Sequence, residues 1–474
     1  METLHSLINA GNDLLWGQVL IYVLLGTGLF FTLRMGFMQI RLLPRGWQEM
    51  LGGRGHEKGS NDISSFQAFA TGLASRVGTG NVAGVATAIA LGGPGAVFWM
   101  WITALLGMAS AFAESTLAQL FKVNHHDNTF RGGPAYYIEK GLGMRRLGLA
   151  FSISLIVAFG LVFNAVQANS IVAATEGALG WNKYLVAVGL VILTAPIIFG
   201  GLRKVGQVAE WMVPVMAAIY LGMTIYVIVT HISEVPGVLA LIVKSAFGVQ
   251  QAAGGFAGYA LSQAMMLGIK RGLFSNEAGM GSAPNAAAAA TTSHPASQGI
   301  IQMFGVFIDT MVVCTCTALI VLLSGAFVPG AELKGVQLTQ AAMSATLGSW
   351  GGTLLAVIMF LFCFSTIIGN YAYAEGNVEF IKNNKTVILL FRIAVLGMVV
   401  FGSLGSSMLV WDMADLAMGV MALINLFAIV MLSKYVFILL KDYQQQLKAG
   451  KDKPVFDVKQ YPEIQAKIYK DVWK

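Results

Sequence analysis

Within an apolar segment running from about Phe66 to Leu91, the chain reads Arg76-Val77-Gly78-Thr79-Gly80-Asn81-Val82-Ala83-Gly84. The segment is long enough to cross a bilayer as a helix. Yet three glycines, a threonine and an asparagine in nine residues disfavour a helix there. Hydrocarbon tolerates interrupted backbone only where protein buries it or a wet cavity adjoins it. Close helix packing through small residues is the simplest role for such a stretch. A second copy argues for more. Arg271-Gly272-Leu273-Phe274-Ser275-Asn276-Glu277-Ala278-Gly279 repeats the skeleton of Arg, four residues, Asn, one residue, then Ala-Gly. The offset, Arg76 to Arg271, is 195 residues. At that same offset Phe112-Ala113-Glu114-Ser115 aligns with Phe307-Ile308-Asp309-Thr310. Paired glycine-interrupted apolar segments in two halves of a chain are the mark of a secondary transporter, with the substrate between the breaks.

Composition sets the solvent. Of 474 residues 56% are hydrophobic and only 11% charged, with a mean hydropathy of +0.70. A soluble domain carries about 25% charged residues, so the chain reads as an all-α polytopic membrane protein. The N-terminal stretch Met1 to Asp13 is acidic and polar rather than basic then apolar, so it does not read as a signal peptide. The net charge of +7 gathers in a few loops and the tail, which reads as membrane topology and not nucleic-acid binding. Cys314, Cys316 and Cys363 lie in apolar segments without thiolate-metal or disulfide spacing. His125-His126 has no partner at zinc-ligand spacing, so no metal centre or other cofactor is expected. No histidine lies at membrane depth to serve an enzyme.

Eleven apolar spans are expected, at about 14–34, 66–91, 95–121, 149–175, 183–202, 209–231, 256–290, 300–328, 350–374, 387–406 and 412–440. Lys and Arg concentrate after spans one, three, five and nine and in the tail. The positive-inside rule then predicts an outside N-terminus and a cytoplasmic C-terminus. If span one is extra, the rest divides into two halves of five. An odd count per half inverts the second against the first. The predicted organisation is an extra helix and basic loop at 1–62, a first five-helix repeat at 63–235, an inverted second repeat at 236–440 and a solvated tail at 441–474. The stretch from Glu234 to Gly255 is compatible with an interfacial helix.

Charges within spans cost about 2.5–3.5 kcal/mol each on insertion scales. Arg76, Lys270, Arg271, Glu277, Glu114, Asp309 and Glu375 therefore need partners or a function. Mutual pairing is the plain reading; a proton relay would need coupled carboxylates beside the substrate path. Asn164 and Gln167, three apart, share a helical face. They suit interhelical hydrogen bonds, or a zwitterion. Ser365-Thr366, with Asn370 one turn on, offers hydroxyl oxygens to a hard cation or back-bonds to the preceding turn.

The run Gly92-Gly93-Pro94-Gly95-Ala96-Val97-Phe98-Trp99-Met100-Trp101, ending at Gly107, resembles the signature of the alanine or glycine:cation symporter family. Arg76 to Asn81, Val166-Gln167-Ala168-Asn169 and Ser275 to Gly279 match its pattern too, so the resemblance covers nearly the whole chain. It implies an inner-membrane sodium symporter of alanine or glycine with the five-plus-five fold of the leucine-transporter type. Substrate contacts are then expected at Gly78, Thr79, Gly80, Asn81 and Gln167, and around Phe274, Asn276 and Gly279. Sodium would bind the carbonyls of Ala74 and Val77 with Ser365 and Thr366. Many members carry Trp where this chain has Asn370, which moves the expected side-chain end of the pocket there. Proton coupling, or a larger substrate such as serine or glutamine, is the alternative.

Overall fold

The computed structural model describes residues 2–52, 63–125, 129–248, 257–469 and 472–473. Its principal helices, in chain order, are α1 (His5–Arg34), α2 (Ser65–Arg76), α3 (Gly80–Gly92), α4 (Gly95–Leu120), α5 (Arg145–Leu179) and α6 (Lys183–Phe199). They continue with α7 (Gly201–Thr230), α8 (Val235–Ala246), α9 (Ala257–Asn276), α10 (Pro284–Ala289) and α11 (Pro295–Leu323). The last five are α12 (Gly335–Leu347), α13 (Gly351–Ile381), α14 (Lys385–Leu404), α15 (Ser407–Met431) and α16 (Ser433–Lys448). Eight of them (α1, α4, α5, α7, α11, α13, α14 and α15) are long and apolar enough to cross a bilayer. The 17-residue α6 and the broken pairs α2/α3 and α9/α10 stand at the remaining expected spans. The ambiguous stretch after Glu234 begins with α8, a short apolar helix.

The outermost helices show why the chain needs lipid. On α6, Leu185, Val188 and Ile192 are exposed, as are Ile225 and Val229 on α7 and Leu390 and Ile393 on α14. The inner helices bury glycine, alanine and polar side chains instead. There α4 packs along α9 and α11, and α5 along α13 and α14. Local signals start several helices. Ser64 and Gln67 form a reciprocal capping box at the head of α2, and Asn182 and Asn384 cap α6 and α14.

The breaks differ from the aligned motifs in one respect. The first is short: α2 ends at Arg76, residues 77–78 are unwound, and Gly80–Gly84 forms a π-helical turn that leads into the rest of α3. The second lies downstream of its motif. Helix α9 runs through Asn276, and residues 277–283 are unwound, with Glu277, Gly279 and Gly281 at φ of 58°, 86° and 83°. The Arg-x4-Asn frame is helical in the second copy because Gly272, its only glycine there, lies against the α4 backbone at Met100. The positive-φ residues that interrupt the helix come after it.

The tail departs from its expected solvation. Phe456, Val458, Ile464 and Trp473 are 2%, 3%, 0% and 9% exposed. Phe456 N–H donates to the Ser293 carbonyl at 2.9 Å, and Trp473 Nε1 to the Gln119 carbonyl at 3.3 Å. Arg45, Lys122 and Lys467 join the same platform, through the Asp452 carbonyl, the Trp473 ring and the Gly141 carbonyl respectively. The basic loops after spans one and three and the tail therefore meet at one end of the bundle. Alternating charge concealed four apolar side chains that find a surface only among helix ends far apart in sequence.

Candidate functional site

Each break is held by an acid from the other half. Asp309, on α11, receives Asn81 Nδ2 at 2.6 Å and Ser275 Oγ at 2.8 Å. Glu114, on α4, receives the N–H groups of Gly279 at 3.1 Å and Gly281 at 3.0 Å, and Asn425 Nδ2 at 2.7 Å. These are the two acids that aligned at the 195-residue offset, and they work crosswise. The short helices between spans three and four and between spans eight and nine do the same. Pro134–Leu142 sets Pro134 against Gly281 and aims Tyr137 at Asn425, while α12 donates Thr339 Oγ1 to the Val82 carbonyl at 3.4 Å. Broken backbone at membrane depth must find its hydrogen bonds within the protein. Here each half satisfies the other's.

The first break collects most of the expected residues. Gly78 N–H is taken by Asn81 Oδ1 at 3.0 Å, and Thr79 N–H by Gln167 Oε1 at 3.0 Å. Thr79 Oγ1 lies 2.6 Å from Ser170 Oγ, one turn along α5 from Gln167. A Cβ on Gly78 would land against Thr366 Oγ1 and 2.8 Å from Gln167 Oε1; one on Gly80 would lie 3.0 Å from Phe274 and 3.1 Å from Ser275 Cα. Gly78, Thr79, Gly80, Asn81, Gln167 and Phe274 thus share one region. At Gly78 and Thr79 side-chain amides already cap the backbone N–H groups.

The four expected sodium ligands also converge. Thr366 Oγ1 lies 3.0 Å from the Ala74 carbonyl, 3.3 Å from that of Val77 and 2.9 Å from that of Phe362. Ser365 Oγ lies 2.8 Å from the Phe362 carbonyl and 3.4 Å from that of Ala74. Back-bonding and cross-break contact coexist at these hydroxyls.

Other residues lie apart. Gly279 is turned toward α4 and α15, where Asn425 Nδ2 donates to its carbonyl at 2.9 Å. Asn276 Oδ1 caps Ala278 N–H at 3.0 Å, and its buried Nδ2 has no partner among the described residues. Asn370 does not open a space. Its Nδ2 donates to Asn164 Oδ1 at 3.1 Å and its Oδ1 accepts from Ser75 Oγ at 2.7 Å. Phe274 lies between Phe163 and Trp411, with ring centroids 4.6 and 4.8 Å away and the rings tilted by 33° and 37°.

Most intramembrane charges pair as the plain reading expects. Arg271 grips Asp415 with two bonds of 3.1 and 2.9 Å, and Lys270 reaches the same carboxylate at 2.6 Å. Glu375 meets Arg392 at 3.0 Å. Arg76 is different: among the described residues only its NH1 has a hydrogen-bond partner, the Gln302 carbonyl at 3.3 Å, and its Nε and NH2 have none. Ser75, Ser170, Ser282 and Asn425 escaped the sequence reading. Ser170 had a signal, three residues after Gln167; Ser282 and Asn425 had none within their own segments. Among the described residues no group of His, Cys, Asp and Glu is arranged to hold a metal ion.

Two broken helices facing each other inside a polytopic helical bundle, their backbones capped crosswise, define a membrane transport protein rather than an enzyme. The profile described as the sodium:alanine symporter family matches residues 1–458. The amino-acid carrier protein AlsT of Bacillus subtilis is 54% identical over 459 residues, 97% of this chain and 96% of that protein. The probable sodium/glutamine symporter GlnT of the same organism is 51% identical over 474 residues, covering 100% and 95%. The sodium/alanine symporter AgcS of Methanococcus maripaludis is 41% identical over 435 residues, covering 90% and 94%. The chain belongs to the sodium:alanine symporter family.

Proposed function

We propose that the protein carries a small neutral amino acid, alanine or glycine, into the cell together with sodium. One observation carries the ion. The Thr366 and Ser365 hydroxyls have one proton each, yet the carbonyls of Ala74, Val77 and Phe362 crowd round them. Acceptor oxygens outnumber the protons. A hard monovalent cation, which seeks several oxygens, balances that surplus. The amino acid's carboxylate competes with Asn81 Oδ1 and Gln167 Oε1 for the Gly78 and Thr79 N–H groups, close to the positive end of α3. The displaced amide oxygen of Gln167 then becomes available to the ammonium. Domain division at about 63, 236 and 441, with the N-terminus outside and the basic end of the bundle cytoplasmic, completes the reading.

Sodium uptake at clamped pH tests it. One monovalent ion crossing about 100 mV supplies about 2.3 kcal/mol, which is roughly forty- to fiftyfold accumulation. Thr366→Ala should raise the sodium concentration for half-maximal uptake about tenfold, the value of about 1.4 kcal/mol of lost coordination. Unchanged sodium dependence with altered amino-acid affinity would move the ion elsewhere. The name of the 51%-identical relative favours glutamine as a second reading. Competition of alanine, glycine, serine and glutamine for one labelled substrate in proteoliposomes ranks them.

A further inference from the structure

Glu277 is the one acid at the breaks that the internal repeat does not explain, since the residue 195 positions earlier is Val82. Its φ of 58° is unusual for a residue with a side chain. That backbone aims its carboxyl at two serines. Oε1 lies 2.9 Å from Ser75 Oγ, and Oε2 accepts from Ser282 Oγ at 2.7 Å.

The protonation state follows from donor counting along one buried chain. It starts at the Gly160 carbonyl on α5, which can only accept. Asn164 must therefore present Nδ2 to it, at 3.0 Å, and Oδ1 to the other side. Facing that Oδ1 at 3.1 Å, Asn370 must present its own Nδ2, which leaves its Oδ1 toward Ser75. Ser75 Oγ lies 2.7 Å from Asn370 Oδ1, so the hydroxyl proton is committed there. A serine has only one. The remaining contact, Ser75 Oγ to Glu277 Oε1, has no donor if Glu277 is ionised, because a carboxylate only accepts. Turning either amide over sets two acceptors against each other, and all of these groups are buried. A proton on Glu277 supplies the missing donor, and an oxygen separation of 2.9 Å is ordinary for O–H···O.

The surrounding charges fit. Arg76 on α2 and Asp309 on α11 face Glu277, with the Tyr373 hydroxyl of α13, and Glu114 of α4 also faces Arg76. Were every carboxyl ionised, three buried anions would share one arginine, since Arg271 and Lys270 are held by Asp415.

We propose that Glu277 is a proton-binding site of this transporter. The acid joins the second break to Ser75 on α2, and its proton leaves for solvent when α2 parts from α13. Separation of Ser75 from Asn370 frees the serine proton to donate to Glu277, which then stands as a carboxylate. The link to opening rests on the symport reading, whereas the presence of the proton does not.

Infrared spectroscopy of the full-length protein in liposomes, with carboxyl-labelled glutamate, reads the proton without any transport. The wild type should show a carboxylic-acid carbonyl band at neutral pH. Glu277→Gln should remove it, the amide replacing the acid as donor to Ser75. Ser282→Ala, which deletes the donor to Oε2, should shift that band and serves if the first variant does not fold. Spectra that neither variant changes overturn the proposal. So does a band that is absent in sodium buffer and appears when choline replaces sodium, which would put a cation between these oxygens. Alanine binding then reads the link. Because the form with α2 packed on α13 holds the proton, and the proposed symport closes that contact on alanine, apparent affinity should fall about tenfold per pH unit above the titration of the acid. Glu277→Gln should flatten that profile; an unchanged slope in the variant overturns the link and leaves the infrared result to stand alone.

Discussion

At the residue scale the first break shows what a glycine is for when its position is crowded rather than twisted. Gly78 has no room for a methyl group, because Thr366 Oγ1 and Gln167 Oε1 occupy the space. The neighbour Gly80 meets Phe274 and Ser275 Cα at 3.0 and 3.1 Å, tight but not impossible. Gly78→Ala should therefore cut uptake at least tenfold while the protein reaches the membrane in normal amount. Gly80→Ala should lose much less, and Gly80→Val should abolish uptake. Radiolabelled uptake normalised to membrane-embedded protein checks the ranking; equal losses at the two alanines would dissociate the ion oxygens from Gly78. Asp415 supplies a second residue-scale test. It neutralises Arg271 and Lys270 together in a buried setting. Removing one partner of a buried pair costs about 3–5 kcal/mol, because the other charge stays uncompensated. Asp415→Asn should lower the melting temperature in detergent far more than Glu463→Gln, whose partner Lys434 is largely exposed.

At the element scale, the N-terminus of α11 depends on a neutral histidine. His294 Nδ1 accepts from Ala296 N–H at 3.0 Å, so the ring proton sits on Nε2, 2.9 Å from Asp442 Oδ2 on α16. Burial lowers the His294 pKa below its usual 6.5, against the pull of Asp442. Burial would raise the Asp442 pKa, but hydrogen bonds from His294, Tyr461 and Gln446 outweigh it and hold the carboxyl below its ordinary range. Both groups bind protons more readily once released. Their contribution is thus complete above pH 6.5 and falls as pH drops below it, first through His294 and then, in the carboxylate range, through Asp442. Protonation also forfeits the cap on Ala296. Acidification from pH 7.5 to 5.5 should speed proteolysis of the tail, and His294→Gln should be fast at both values. A tail cleaved at the same rate at both pH values in the wild type would exclude this dependence.

At the scale of the whole molecule, the tail fastens one end of the bundle. It ties the basic loop after α1, the end of α4 and the segment after α10, through Arg45, Gln119 and Ser293. The same segment bridges to the start of α2, where Thr291 N–H donates to the Ile63 carbonyl at 3.0 Å. Burying one large apolar side chain is worth about 1.5–3 kcal/mol, and the tail buries four. Removal of residues 451–474 should lower the melting temperature by several degrees, and Trp473→Ala should account for a good part of it. A truncated protein as stable as the full chain would make the docking incidental.

Apolar length and the distribution of Lys and Arg are properties of each segment against lipid and water, so the sequence alone determined the apolar helical segments, eight of them long enough to cross a bilayer, and the two interrupted ones among them. The meeting of Ser365 and Thr366 with the first break also proved legible, through the family pattern. Tertiary structure decided the rest. It set the second break after Asn276, where positive-φ residues interrupt the helix, and it turned Gly279 toward α4 and α15. It also filled the place of Asn370 with hydrogen bonds and made Glu114 and Asp309 reciprocal holders of the opposite half. Each of these depends on which donor meets which acceptor across a hundred or more residues. Hydropathy has no knowledge of partners, and a broken helix in a membrane takes its shape from whichever partners complete its backbone.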